Sequence, residues 1–144
     1  MAMYKMILAA HSGWAYIALL VVVIATVNAL IGASSKKPFG DNDRRLALFA
    51  LIATHIQFVI GLLLYFTSPN GLDKINAVGM GGMSAMDRLL ALEHPLVNII
   101  AVILITVGWS KHKKADNKFK PFAIFYTIAA LLVLSRIPWQ NWFA

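Results

Sequence analysis

Long apolar runs alternate along this chain with short polar turns, and the runs do not follow the two-residue alternation of strands. Four runs stand out, at 7–31, 46–66, 88–109 and 122–137. About twenty apolar residues in a helix cross the hydrocarbon of a bilayer, and the four runs are read as four membrane spans. Continuous runs read as helices, because a membrane barrel would alternate apolar and polar positions. Gly32 with Ser34 and Ser35 ends the first run, and Ser68-Pro69-Asn70-Gly71 ends the second with strong turn chemistry. Pro121 suits the first turn of the fourth helix, whose missing N–H would be unpaired there anyway. The pattern predicts an all-α fold, an integral membrane four-helix bundle with up-down-up-down connectivity. A single domain over 1–144 is expected.

Composition agrees with this pattern. Hydrophobic residues make up 60 % of the chain and charged residues 13 %, against about 25 % in a soluble domain. The absence of cysteine rules out disulfides, iron–sulfur clusters and thiolate zinc sites. The net charge of +7 does not point to nucleic acid, because the basic residues sit in turns between apolar runs. The apolar run after Lys5 is too long for a cleaved signal, so the first span is read as a retained helix.

Charge sets the expected orientation. Lys36, Lys37, Arg44, Arg45, Lys111, Lys113, Lys114, Lys118 and Lys120 lie beside the turns after spans one and three. Only Lys5, Lys74, Arg88 and Arg136 fall on the other side. The positive-inside rule makes the lysine-rich turns cytoplasmic and places both termini outside. Tyr4, Trp139 and Trp142 suit the outer interfacial belt and Trp109 the inner one.

Three histidines fall inside spans, where an ionisable residue marks a functional site by default. His11 and His94 lie about seven residues, or roughly 10 Å, from the outer ends of spans one and three. His55 lies roughly 16 Å deep in span two. Spans one and three are diagonal in an antiparallel bundle, so His11 and His94 can approach a flat cofactor from opposite faces. That is the requirement of bis-histidine haem ligation. Ala15 and Ala18 follow His11 on its helix face, and Asn98 and Ala101 follow His94, which leaves room for a ring system. Arg88 and Arg136 at the outer helix ends can pair with haem propionates. Glu93 or Asn98 can act as a partner that orients the ligand, although Glu93 points away from the face of His94. His55 is left as the alternate ligand, a neighbour of the haem or a separate site. Gln57 is expected to make an interhelical hydrogen bond, and Gly61 and Gly108 to permit close packing. His112, in the lysine-rich run, reads as a solvated surface residue. Met80, Met83 and Met86 read as an interfacial segment, with soft-metal ligation as the other reading.

His11-Ser12, Thr54-His55-x-Gln57-x-x-x-Gly61 and Glu93-His94-Pro95 resemble the motifs of small four-span bacterial membrane b-type cytochromes. The Glu-His pair and the helix-borne histidines also resemble, more faintly, half of an eight-span haem A synthase. The resemblance implies haem b, an inner-membrane location and electron transfer. The expected partner is a quinone or an outer-side redox protein, with a homo-oligomer or a respiratory-complex subunit as candidate assemblies. A copper or zinc handling protein using His11, His55 and His94 with the methionine loop is the competing reading, and a cofactor-free assembly subunit is a third. No nucleophile, acid–base pair or nucleotide loop is evident, so an electron carrier is expected and not an enzyme.

Overall fold

The structure, a computed structural model, describes residues 1–143; Ala144, the last residue of the expected domain, lies outside the described residues. The described chain is all-helical. Four long helices, α1 (Ala2–Ser34), α2 (Asp41–Thr67), α5 (His94–His112) and α6 (Phe119–Ser135), form the body. Between α2 and α5 lie α3 (Leu72–Val78), a 3₁₀ turn at Met80–Gly82, α4 (Ala85–Arg88) and a π-helical turn at Leu89–Glu93. A final turn, α7, covers Trp139–Trp142.

Packing follows a simple square. α1 lies against α2 and α6, and α5 lies against α6 and α2, which leaves α1 diagonal to α5. α1, α2 and the continuous helix from Ala85 to His112 are long and apolar enough to cross a membrane, and α6 is a shorter apolar helix. The first three spans extend beyond the predicted limits at both ends, because their polar flanks continue the helix. The fourth ends at Ser135 and not at 137, because Arg136 leaves helical geometry at φ −127°, ψ 18° just before Pro138.

The inside of the bundle is built from small residues. Ala18, Ala25, Ala29, Ala47, Ala50, Ala53, Ala101 and Ala129 are buried, and Leu20, Ile31, Phe49, Leu63, Ile103 and Leu131 face outward. Small residues inside allow close helix approach, and large apolar residues form the outer surface of the bundle.

The lysine-rich end is solid. Phe119, Phe122 and Tyr126 of α6 are fully buried there, with Phe39 packed edge-on to Phe119 at 4.9 Å. The Tyr126 hydroxyl donates to the carbonyl of Ala47 across the core at 2.8 Å. Gly32 is the surface on which the Phe119 ring rests. The turn after α1 is tied by Asp43, which accepts from Asn28 at 3.0 Å, from the Lys37 ammonium at 3.1 Å and from the Gly40 N–H at 2.9 Å. His112 belongs to this solid end. It is 2 % exposed, lies between Trp109 at 4.7 Å and Phe122 at 4.6 Å, and donates through Nδ1 to the Trp109 carbonyl. The expectation of a solvated His112 is therefore corrected: aromatic rings brought in by α6 and by Phe39 cover it.

Candidate functional site

At the other end the bundle is hollow. A cavity of about 920 Å³ opens among α1, α2, α5, α6 and α7, lined by His11, Gln57, Gly61, His94, Asn98 and Trp142 among others. Cofactor sites typically run to about 300–1,000 Å³ and are mostly apolar with a few placed polar groups.

The two histidines meet here. The His11 and His94 ring centres lie 6.1 Å apart with their planes 84° to one another. Two imidazoles bound to opposite sides of one metal ion, with bonds of about 2.0 Å, have ring centres about 6 Å apart, since each nitrogen lies about 1.1 Å from its ring centre. The observed separation agrees with that requirement. The diagonal placement expected for the two helices also holds.

The two rings are held differently. For His94 the partner is the backbone carbonyl of Arg136 at 2.9 Å, where α6 unwinds. A carbonyl only accepts, so Nδ1 carries the proton and Nε2 keeps its lone pair. Asn98, one helical turn on, donates to the His94 carbonyl at 2.6 Å and lies 3.3 Å from Nδ1. His11 is approached differently, by an amide nitrogen that can only donate. Gln57 of α2 donates to the His11 carbonyl at 2.9 Å, and the same amide nitrogen lies 3.3 Å from His11 Nδ1. The interhelical bond expected of Gln57 is thus present, but its target is a candidate ligand. Gly61 lies against the same ring: a β-carbon there would sit 3.2 Å from His11 Cε1.

The geometry of α5 explains how His94 reaches the cavity. Proline has no N–H, so Pro95 cannot bond the Ala91 carbonyl as an α-helix would require. The preceding turn widens instead, and the His94 N–H bonds the Leu89 carbonyl five residues back. Such π turns recur at functional sites because one extra residue re-aims the side chains that follow.

The remaining candidates are placed elsewhere. His55 does not line the cavity. Its Nδ1 bonds the Leu51 carbonyl at 2.7 Å and its Nε2 meets the Thr106 hydroxyl at 3.3 Å, so it joins α2 to α5. Among the described residues no three histidine, aspartate or glutamate side chains gather where they could hold a metal ion. The three-histidine copper or zinc site thus lacks its geometry. The Arg136 guanidinium pairs with Glu93 at 3.2 Å, both about half-exposed, and Arg88 donates to the Met83 carbonyl at 3.1 Å. Neither arginine lines the cavity, in contrast to the expected propionate pairing. Met83 is buried while Met80 is exposed, so the three methionines do not share one face.

Sequence reasoning missed Gly61 as the seat of an imidazole and Trp142 as a cavity wall. The Gln57–Gly61 spacing of four residues was the available signal, since it sets both on one helix face. Compared with protein-family models, curated proteins and solved structures, the chain shows no match.

Proposed function

We propose that this protein is a multi-pass membrane b-type cytochrome that holds one haem between His11 and His94. The observation that carries the reading is the 6.1 Å separation of two mutually perpendicular imidazoles from diagonal helices, beside a large apolar cavity. Bound haem supplies a one-electron couple at its iron. The residues of the chain do the rest. The Arg136 carbonyl fixes the His94 ring, Asn98 and Gln57 bond the backbone carbonyls of His94 and His11, Gly61 leaves room for the His11 ring, and the apolar walls keep water from the site. An axial ligand must be a neutral imidazole, and the proton held on His94 Nδ1 by a carbonyl leaves Nε2 for that role.

The cavity lies at the end of the bundle away from the lysine-rich turns. By the positive-inside rule that end faces outward, in a bacterial inner membrane with both termini outside. From His94 to Gly108 the helix covers roughly 20 Å at about 1.5 Å per residue. The partner is therefore a quinone in the bilayer or a redox protein on the outer side.

The test is the absorbance spectrum of the purified protein, oxidised and then reduced with dithionite. A low-spin haem spectrum is expected in the wild type and in His55→Ala, and its loss in His11→Ala and in His94→Ala. Full retention in both of those variants, with loss in His55→Ala, would overturn the ligand assignment.

A further inference from the structure

The contact between His55 of α2 and Thr106 of α5 has one hydrogen too few. His55 Nδ1 lies 2.7 Å from the Leu51 carbonyl, which only accepts, so that nitrogen carries the ring proton and Nε2 keeps its lone pair. The Thr106 hydroxyl has a single hydrogen and gives it to the Val102 carbonyl at 2.8 Å. What faces His55 Nε2 at 3.3 Å is therefore a second acceptor, the lone pairs of Thr106 Oγ1. Two acceptors stand side by side, and neither has a donor.

Their surroundings limit what can supply one. Neither residue lines the cavity. Thr106 is exposed and His55 partly exposed on the outer surface of the bundle. Ile52, Val59 and Ile103, three or four residues away on the same helices, are exposed beside them. The segments 46–72 and 95–110 contain no charged residue. At roughly 16 Å from the outer end of its span, His55 lies near the middle of a hydrocarbon layer about 30 Å thick. Water and lipid head groups do not populate that depth. A proton on Nε2 would leave an unpaired charge there, which is costly. A neutral hydroxyl, carried by a molecule that dissolves in the bilayer interior, satisfies Nε2 without that cost.

We propose that this face of α2 and α5 binds the ring of a quinol, one phenolic hydroxyl donating to His55 Nε2 beside Thr106 Oγ1. A quinone offers only carbonyl oxygens, which would meet two more acceptors. The site therefore selects the reduced member of the couple. The choice of a quinol rests on the haem reading, in which a quinone couple serves the haem; the hydrogen-bond count at His55 does not. Gly61, which lies against the His11 ring, is six residues from His55 on α2, or roughly 9 Å along the axis. A ring held at His55 thus sits beside the site that would take its electrons.

The test is nitrogen NMR of the full chain, labelled at histidine and held in lipid nanodiscs without oxygen. The His55 signals are assigned by their absence in His55→Leu or in His55→Gln. The probes are decyl benzoquinol, the matching quinone, the quinol dimethyl ether and decanol. Only the quinol is expected to move the Nε2 signal, and His55→Leu is expected to bind it about tenfold more weakly, as for one hydrogen bond lost. An Nε2 already protonated before any probe is added would overturn the proposal. So would an equal response to the quinone or the ether, which would mean ring packing alone, or to decanol, which would mean that any hydroxyl serves. Haem uptake is read separately from the absorbance spectrum. A quinol response in protein that takes up no haem sinks the haem reading and leaves the site standing; bound haem with no quinol response sinks the site alone.

Discussion

His94 is oriented by Arg136, but through the arginine's backbone carbonyl, 2.9 Å from Nδ1, and not through its charge. The carbonyl is free to accept because α6 has ended and no later residue of the helix claims it. The orientation of a residue on α5 is thereby set by where α6 stops. Arginine at 136 is replaceable in this role, because every residue has a carbonyl.

One expectation follows directly. Arg136→Ala should keep the haem spectrum, and its stability should fall by less than about 1 kcal/mol, since the Glu93 pair it breaks is half-exposed. Spectral titration and thermal unfolding in detergent measure both. A complete loss of haem would show that the guanidinium matters in a way the geometry does not account for.

Pro95 should be harder to replace. In Pro95→Ala the restored N–H can reach the Ala91 carbonyl, and the π turn can tighten to an α turn. Everything before it would rotate by about 100° relative to everything after, the angle of one helical residue. Haem affinity is expected to drop by about 10–100-fold, the usual cost of misorienting a ligand, while circular dichroism shows helix content unchanged. Unaltered affinity would mean that the turn does not aim His94.

Two glycines should give opposite phenotypes. Gly61→Ala puts a methyl 3.2 Å from the His11 ring and should weaken haem binding with little loss of helix packing. In Gly32→Ala the new methyl would overlap the Phe119 ring in the solid half of the bundle. Overpacking of that kind costs about 1–3 kcal/mol and should lower the melting temperature of the apoprotein. Comparing haem affinity with apoprotein melting for both variants separates the two effects. Coincident losses in both would mean that the two halves are not independent.

Tyr126→Phe removes the bond to Ala47 and nothing of the ring packing. A loss of about 0.5–1.5 kcal/mol in stability is expected, with haem binding unchanged. Chemical unfolding of the apoprotein, set beside a haem titration, is the check.

Orientation is open to a direct measurement. Fusions after Gly40 and after Asn117 to a reporter active only outside the cell should both be silent, as the basic turns require. Activity at both points would reverse the bundle and place the cavity on the cytoplasmic side.

The helices were legible because the long apolar runs do not alternate every two residues, which sets them apart from strands. The His11–His94 pair was legible too, since equal depth and diagonal helices follow from counting residues. His112 was misread because a lysine-rich neighbourhood suggests solvent. The rings that bury it, Phe39 and Phe122, come from other segments of the chain. Gly61 carries no side chain to hint at a partner, and its contact with His11 spans two helices. Arg136 was read by its charge, whereas its useful atom is one that sequence patterns do not record. Trp142 read as a belt residue because a tryptophan near a span end usually is one. Only the reversal at Pro138 turns it inward.

The contrast between the two ends of the bundle has a consequence for how a flat molecule gets in. Tyr126 and its neighbouring rings fasten the four helices at the lysine-rich end, so that end can act as a hinge. At the other end the walls meet across empty space, and α7 is the last segment to cover it. Amide exchange should therefore be slow in the α6 residues around Tyr126 and fast from Leu134 onward in protein without a ligand, merging toward one slow rate once the space is filled. A cofactor would then enter sideways between parted helix ends, and the C-terminal turn would fasten behind it.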